Sequence, residues 1–168
     1  MEIEHSSEDN IAAASKAEES SSADSVAAGE TTNLKKLTSG AKRVLIVDDE
    51  ELLRDVLKET FEDAGYVVEE AGNGRVAFKM IQEHGYDCVV SDIRMPGGDG
   101  FELAQNIFQM SGVRPKIFLV TGFSEVTLEK AHQFGVVDIL EKPFDIRTLL
   151  QAVDVAINGA KVPNKASA

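Results

Sequence analysis

Val44-Leu45-Ile46-Val47-Asp48-Asp49-Glu50 sets four consecutive aliphatic residues directly against three acids. An unbroken aliphatic run of that kind reads as a strand buried on both faces, as in a parallel sheet with helices on either side. The acids then fall where the strand leaves the core. Similar runs return along the chain at Val67-Val68, Cys88-Val89-Val90, Ile117-Phe118-Leu119-Val120 and Val136-Val137-Asp138-Ile139-Leu140. The segments between them carry helical periodicity. Leu53, Val56, Leu57, Thr60, Phe61 and Ala64 recur at three- and four-residue steps, which predicts one buried face, and Ile146, Leu149, Leu150, Val153 and Ile157 do the same. Gly65, Gly85 and Gly135 follow three of these helices, where a left-handed C-terminal residue is expected. Five strands alternating with five helices predict right-handed crossovers and a three-layer α/β sandwich. Ligands of such open sheets bind beyond the carboxyl ends of the strands, where strand order reverses.

Composition sets the outer limits. The chain has 168 residues and a net charge of -12, from 17 Lys+Arg against 29 Asp+Glu. That balance speaks against direct nucleic-acid binding, which draws its affinity from Lys and Arg. Cys88 is the single cysteine, so neither a disulfide framework nor a cysteine-rich zinc site is expected, and it reads as a small core residue. Met1-Glu2-Ile3-Glu4-His5-Ser6 has no apolar core and is not read as a signal peptide, and no apolar run approaches membrane-spanning length. The expectation is a cytoplasmic protein without membrane insertion.

Residues 1–40 contain no aromatic residue, are rich in Ser and Ala, and hold 3 basic against 8 acidic residues, a net of -5. Such a segment buries too little surface to offset about 1–2 kcal/mol of backbone ordering entropy per residue, so it is expected to be a disordered acidic tail. Residues 159–168, with Pro163 and two lysines, are expected to be a flexible C-terminal tail, which leaves 41–158 as the folded domain.

The strand-end rule gathers the chemistry. Asp48 and Asp49 follow the first run, Asp92 ends the third, Thr121 follows the fourth and Lys142-Pro143 closes the fifth. The second run leads through Glu69-Glu70-Ala71 into the turn Gly72-Asn73-Gly74, as an edge strand would. Three neighbouring carboxylates need raised pKa values or a cation to coexist. A hard, oxygen-seeking divalent ion answers that need, and Mg2+ suits a site with few protein ligands that is completed by phosphate oxygens. Asp49 and Asp92 supply carboxylate oxygens, and the backbone carbonyl of Arg94 is a candidate third ligand. Lys142 can hold a phosphoryl oxygen as a point charge, Thr121 can donate to another, and a carboxylate so placed is a nucleophile for phosphorus.

Taken together, Val47-Asp48-Asp49-Glu50, Ser91-Asp92-Ile93-Arg94-Met95-Pro96 with Asp99-Gly100, Val120-Thr121-Gly122 and Glu141-Lys142-Pro143-Phe144 resemble the receiver domain of two-component response regulators, over residues 41–158. The resemblance implies a flavodoxin-like fold with five parallel strands in the order 2-1-3-4-5. By that likeness Asp92 is the phosphoacceptor for a sensor histidine kinase or histidine phosphotransfer protein, Asp48 and Asp49 bind magnesium, Thr121 is the switch hydroxyl and Lys142 contacts the phosphoryl group. The Lys142-Pro143 bond is then expected to be cis. The face of the fourth helix, fifth strand and fifth helix becomes a readout surface toward a downstream protein target, or a homodimer interface, with Val126, Leu128, Ala152 and Val155 as candidate contributors. The likeness departs at Ile139, where the family usually carries Tyr or Phe, while Arg94 and Phe123 match variable positions that in the family tune phosphoryl lifetime.

Asp48 and Asp49 could cap the following helix, Thr121 could serve a turn and Lys142 could be a solvated surface residue. A degenerate receiver acting as a phosphorylation-independent adaptor is one alternative, given Ile139. An aspartyl-phosphate phosphatase is disfavoured, because Asp48 and Asp49 are adjacent and no cap insertion is present. A flavin carrier is disfavoured because Asp48-Asp49-Glu50-Glu51 would repel the cofactor phosphate.

Overall fold

The computed structural model describes residues 40–122 and 126–159. The expectations for Phe123 and for the two tails lie outside these residues, save at Gly40 and at Gly159, which is the left-handed C-cap of the last helix rather than the start of a tail. The elements alternate as β1 (Arg43–Val47), α1 (Glu51–Asp63), β2 (Val67–Ala71), α2 (Gly74–Glu83), β3 (Cys88–Asp92), α3 (Gly100–Gln109), β4 (Lys116–Thr121), α4 (Leu128–His132), β5 (Val136–Glu141) and α5 (Ile146–Asn158). All strand pairs are parallel, in the order β2-β1-β3-β4-β5. The predicted flavodoxin-like order is the observed one.

Period-two alternation along the strands divides the core between two faces. Leu45, Val47, Val89 and Leu119 face Ala77, Ile81, Leu103, Ala104 and Ile107 from α2 and α3. Val44, Ile46, Val90, Phe118 and Cys88 face Leu57 and Phe61 of α1 and Leu149 and Val153 of α5. Val44, Leu45, Ile46 and Val47 are at most 1% exposed, which is what a continuous aliphatic run meant for β1. Each large aliphatic or Phe side chain removed from water in this way contributes roughly 1.5–3 kcal/mol.

The apolar face of α1 is narrower than its spacing implied. Leu57 and Phe61 are buried and Leu53 packs beside them, but Val56 is 47% exposed and Ala64 is an exposed C-cap. Val56 sits one helical step of about 100° from Leu57, at the flank of the stripe. Gly65 and Gly135 take φ of +99° and +76° as expected. Gly85 does not. The turn after α2 is closed by His84 in extended backbone, its N–H on the carbonyl of Met80 at 2.8 Å, so no left-handed residue is needed there. Glu69 and Glu70 lie inside β2, the edge strand, where Arg43 pairs with Glu69 and Lys58 with Glu70.

Register brings the chemistry to one rim. Val47 pairs with Ala71 and Ser91, Asp92 with Val120, and Thr121 with Glu141, so Asp48, Asp92, Thr121 and Lys142 all stand at carboxyl ends of neighbouring strands.

Candidate functional site

Asp48 leaves β1 buried, at 3% exposure, and both of its carboxylate oxygens are engaged. Oδ1 accepts from the backbone N–H of Glu50 at 2.8 Å, and Oδ2 accepts from Lys142 Nζ at 3.0 Å. Its backbone N–H donates to Ala71 at 3.2 Å and its carbonyl accepts from Arg54 Nη1 at 2.7 Å, so the turn is pinned on two sides. The capping reading fails for both acids: the N-cap of α1 is Glu50, with no side-chain cap. Asp49 is exposed at the mouth, and its charge still reaches Asp92.

Asp92 ends β3 and is 6% exposed. Lys142 Nζ lies 3.2 Å from its Oδ1 and so bridges Asp48 and Asp92. Burial pushes the Asp92 carboxyl above the usual range; Lys142 pulls it back, and Asp48 and Asp49 push it up again. Lys142 is penalised by burial, but its hydrogen bond to Asp48 and the charges of Asp48 and Asp92 leave its ammonium held more firmly than usual. Lys142 is placed by the backbone: its N–H donates to the Thr121 carbonyl at 2.7 Å, and the Lys142-Pro143 bond is cis as expected. Thr121 is 4% exposed, and its Oγ1 is buried without a hydrogen-bond partner. An unpaired buried hydroxyl is costly, and this one stands at the end of β4, next to the strand that carries Asp92. Arg94 stands exposed in the loop after β3.

Among the described residues no three His, Cys, Asp or Glu side chains form a ready-made metal cluster. The ammonium of Lys142 takes the centre between two of the acids instead. One ammonium against three carboxylates still leaves the rim short of positive charge, and every donor is a hard oxygen, the chemistry that suits magnesium.

Several contributors were not legible from motif spacing. Arg54 joins the Asp48 carbonyl to Glu70, at 3.5 Å from Oε1. A pair of acids inside an edge strand was the available signal, since such acids need cations nearby. Gly100 opens α3 where a Cβ would stand 2.0 Å from the Asp92 carbonyl oxygen. A glycine directly after the capping Asp99 was the sign of close approach.

Residues 44–154 match the family model of the response regulator receiver domain. The chain belongs to that family. This receiver is 38% identical over 119 residues to the transcriptional regulatory protein PdtaR of Mycobacterium tuberculosis, covering 70% of this chain and 57% of that one. The chain thus spans less than two thirds of that relative's length. It is 34% identical over 113 residues to the chemotaxis protein CheY of Halobacterium salinarum, covering 67% of this chain and 94% of that protein. Among solved structures it resembles the response regulator TrrA of Thermotoga maritima in complex with Mg2+ and BeF, with a TM-score of 0.62 and 34% identity over 68% of this chain and 98% of that one. The receiver's Ile139 is half-buried and packs against the α2–α3 side of the core.

Proposed function

We propose that this receiver is a phosphoacceptor switch: the Asp92 carboxylate takes a phosphoryl group from the phosphohistidine of a sensor histidine kinase or histidine phosphotransfer protein. The observation that carries this reading is the bridging of Asp48 and Asp92 by Lys142 Nζ, at 3.0 and 3.2 Å, with Thr121, whose buried Oγ1 has no hydrogen-bond partner, at the end of the neighbouring strand β4. In the transfer, an Asp92 oxygen attacks phosphorus as the donor imidazole nitrogen leaves. One O–P bond forms, one N–P bond breaks, and an acyl phosphate remains on Asp92. Little covalent work falls to the protein, so positioning and charge account for the rate. Lys142 follows the charge from the carboxylate to a phosphoryl oxygen, and the Thr121 hydroxyl gains an acceptor that the resting state lacks.

The same residues fit Mg2+. Asp48, Asp49, Asp92 and the backbone carbonyl of Arg94 would hold it, and when bound it neutralises the phosphoryl oxygens. Asp48 spends both oxygens on Glu50 and Lys142, which makes it the organiser of the group.

The output in this reading is contact with a downstream protein target, or relay of the phosphoryl group, by a cytoplasmic receiver. Neither direct nucleic-acid binding nor membrane insertion is needed; no helix among the described residues is long and apolar enough to cross a membrane. The α4–β5–α5 face offers Leu128, 39% exposed, and a groove of about 410 Å3 in which Val137 faces Ala152 and Val155, a surface suited to a target or a homodimer.

Mixing the protein with a histidine kinase and ATP, then resolving phosphoprotein on a phosphate-affinity gel, tests the transfer. Label is expected on the wild type and absent from Asp92→Asn; label persisting in that variant overturns the assignment. Target binding that beryllofluoride leaves unchanged would favour the phosphorylation-independent adaptor.

A further inference from the structure

We propose that a cationic, aromatic groove on the rim opposite Asp92 seats the acidic segment Asp24-Ser25-Val26-Ala27-Ala28-Gly29-Glu30 of the same chain. The groove, of about 250 Å3, lies at the amino-terminal ends of β4 and β5, between Ile107, Phe108, Arg114, Lys116 and Phe134. Phe108 is 42% exposed and neighbouring Val113 fully so. Phe134 stands edge-on to Phe108 at 5.9 Å, and the Arg114 guanidinium lies 5.0 Å from the Phe108 ring centroid. Among the described residues neither Arg114 nor Lys116 pairs with a carboxylate, in a chain whose net charge is -12. The other cations of this rim are matched: Lys42 with Asp87 at 2.9 Å and Arg43 with Glu69 at 3.0 Å. Two unmatched cations beside exposed aromatic surface call for an acidic segment with small apolar side chains between its charges.

The chain carries such a segment within reach. Residues 1–39 hold 8 acids against 3 bases, and Asp24 and Glu30 flank Val26, Ala27 and Ala28. They join the domain at Gly40, just before β1, on the groove's own rim. Two backbone hydrogen bonds span that rim: Asp87 N–H to Arg43 O at 2.8 Å, then Lys116 N–H to Asp87 O at 2.9 Å. β4 is two strands from β1, roughly 10 Å at the usual strand spacing. The ten residues from Glu30 to Gly40 can extend to about 33 Å, so the linker spans the gap with slack. Linkage of that length supplies an effective concentration on the order of millimolar, so weak contacts suffice. Residues 160–168 carry two lysines and no acid, and Arg114 and Lys116 repel them.

The test uses the full chain. Cys88 is fully buried and burial pushes its thiol pKa up, so a nitroxide reagent reacts at the thiol introduced by Ser25→Cys. Amides of Phe108, Phe134 and Gly135 are expected to lose most of their NMR intensity, while Asp48, Asp92 and Thr121 keep theirs. Arg114→Glu with Lys116→Glu, both at exposed positions, should abolish the loss, and adding Asp24→Lys with Glu30→Lys should restore it. Uniform loss over the surface, or loss indifferent to charge reversal, overturns the proposal. So does loss carried to an isotope-labelled copy without nitroxide, which makes the occupant a second molecule.

Discussion

Lys142 holds together two buried carboxylates that would otherwise repel each other, and its removal exposes what each residue contributes. In Lys142→Ala, Asp48 and Asp92 lose their shared cation, and a buried charged group left unsatisfied costs more than the roughly 1–3 kcal/mol of a neutral one. That loss should appear as a lower urea midpoint at neutral pH and shrink in acid, where Asp92 takes up a proton. Asp92 itself has the opposite sign. Its pKa in the folded protein lies above the ordinary 3.8, raised first by burial and further by Asp48 and Asp49. The folded state therefore binds this proton more tightly than the unfolded state. The stabilisation it gives is complete below the ordinary carboxylate range and is lost as pH rises through the raised folded value. Asp92→Asn should accordingly be more stable than wild type at neutral pH without divalent cation, and lack this part of the pH dependence. Chemical denaturation across pH checks both; an Asn variant less stable at neutral pH contradicts the electrostatic account.

At the scale of elements, the acids' rim depends on how closely α3 approaches β3. A Cβ on Gly100 would meet the Asp92 carbonyl oxygen at 2.0 Å and Ser91 Oγ at 2.7 Å, both without room to yield. Gly100→Ala should cost about 1–3 kcal/mol as overpacking does, and displace Asp92, so that phosphorylation slows even where the fold survives. Phe61→Ala, on the far side of the sheet, should cost about 3–5 kcal/mol without changing the transfer rate of the folded fraction. Denaturation midpoints read beside phosphorylation rates separate these cases. The strands were legible because parallel-sheet burial demands continuous aliphatic runs, and the four contributing rim positions followed from where those runs stop. The stripe of α1 was read too wide at Val56 and Ala64, since spacing alone does not say where a helix face ends. Gly85 was misread because a hydrogen bond from His84 to Met80 already closes the turn after α2. Arg54 escaped notice, and Gly100 was read only as part of the Asp99-Gly100 motif, because a contact to a backbone carbonyl is not encoded in composition.

Over the whole molecule, the carboxyl ends of four strands gather dispersed residues into a rim with one ammonium, three carboxylates and an unpaired hydroxyl. If that rim holds Mg2+, adding the ion should stabilise the folded state by about 2.7 kcal/mol at a hundredfold excess over Kd, read as a higher Tm. A chelator should reverse the gain, and Asp49→Asn with Asp92→Asn should remove it. The most direct measurement is chemical. The protein is treated with a small phosphoryl donor and magnesium, reduced with borohydride, which converts an acyl phosphate to an alcohol, and mapped by peptide mass spectrometry. Homoserine at position 92 is the predicted result. Homoserine at position 48 or 49 with Asp92 unmodified, or phosphate found only on hydroxyl side chains, would contradict it.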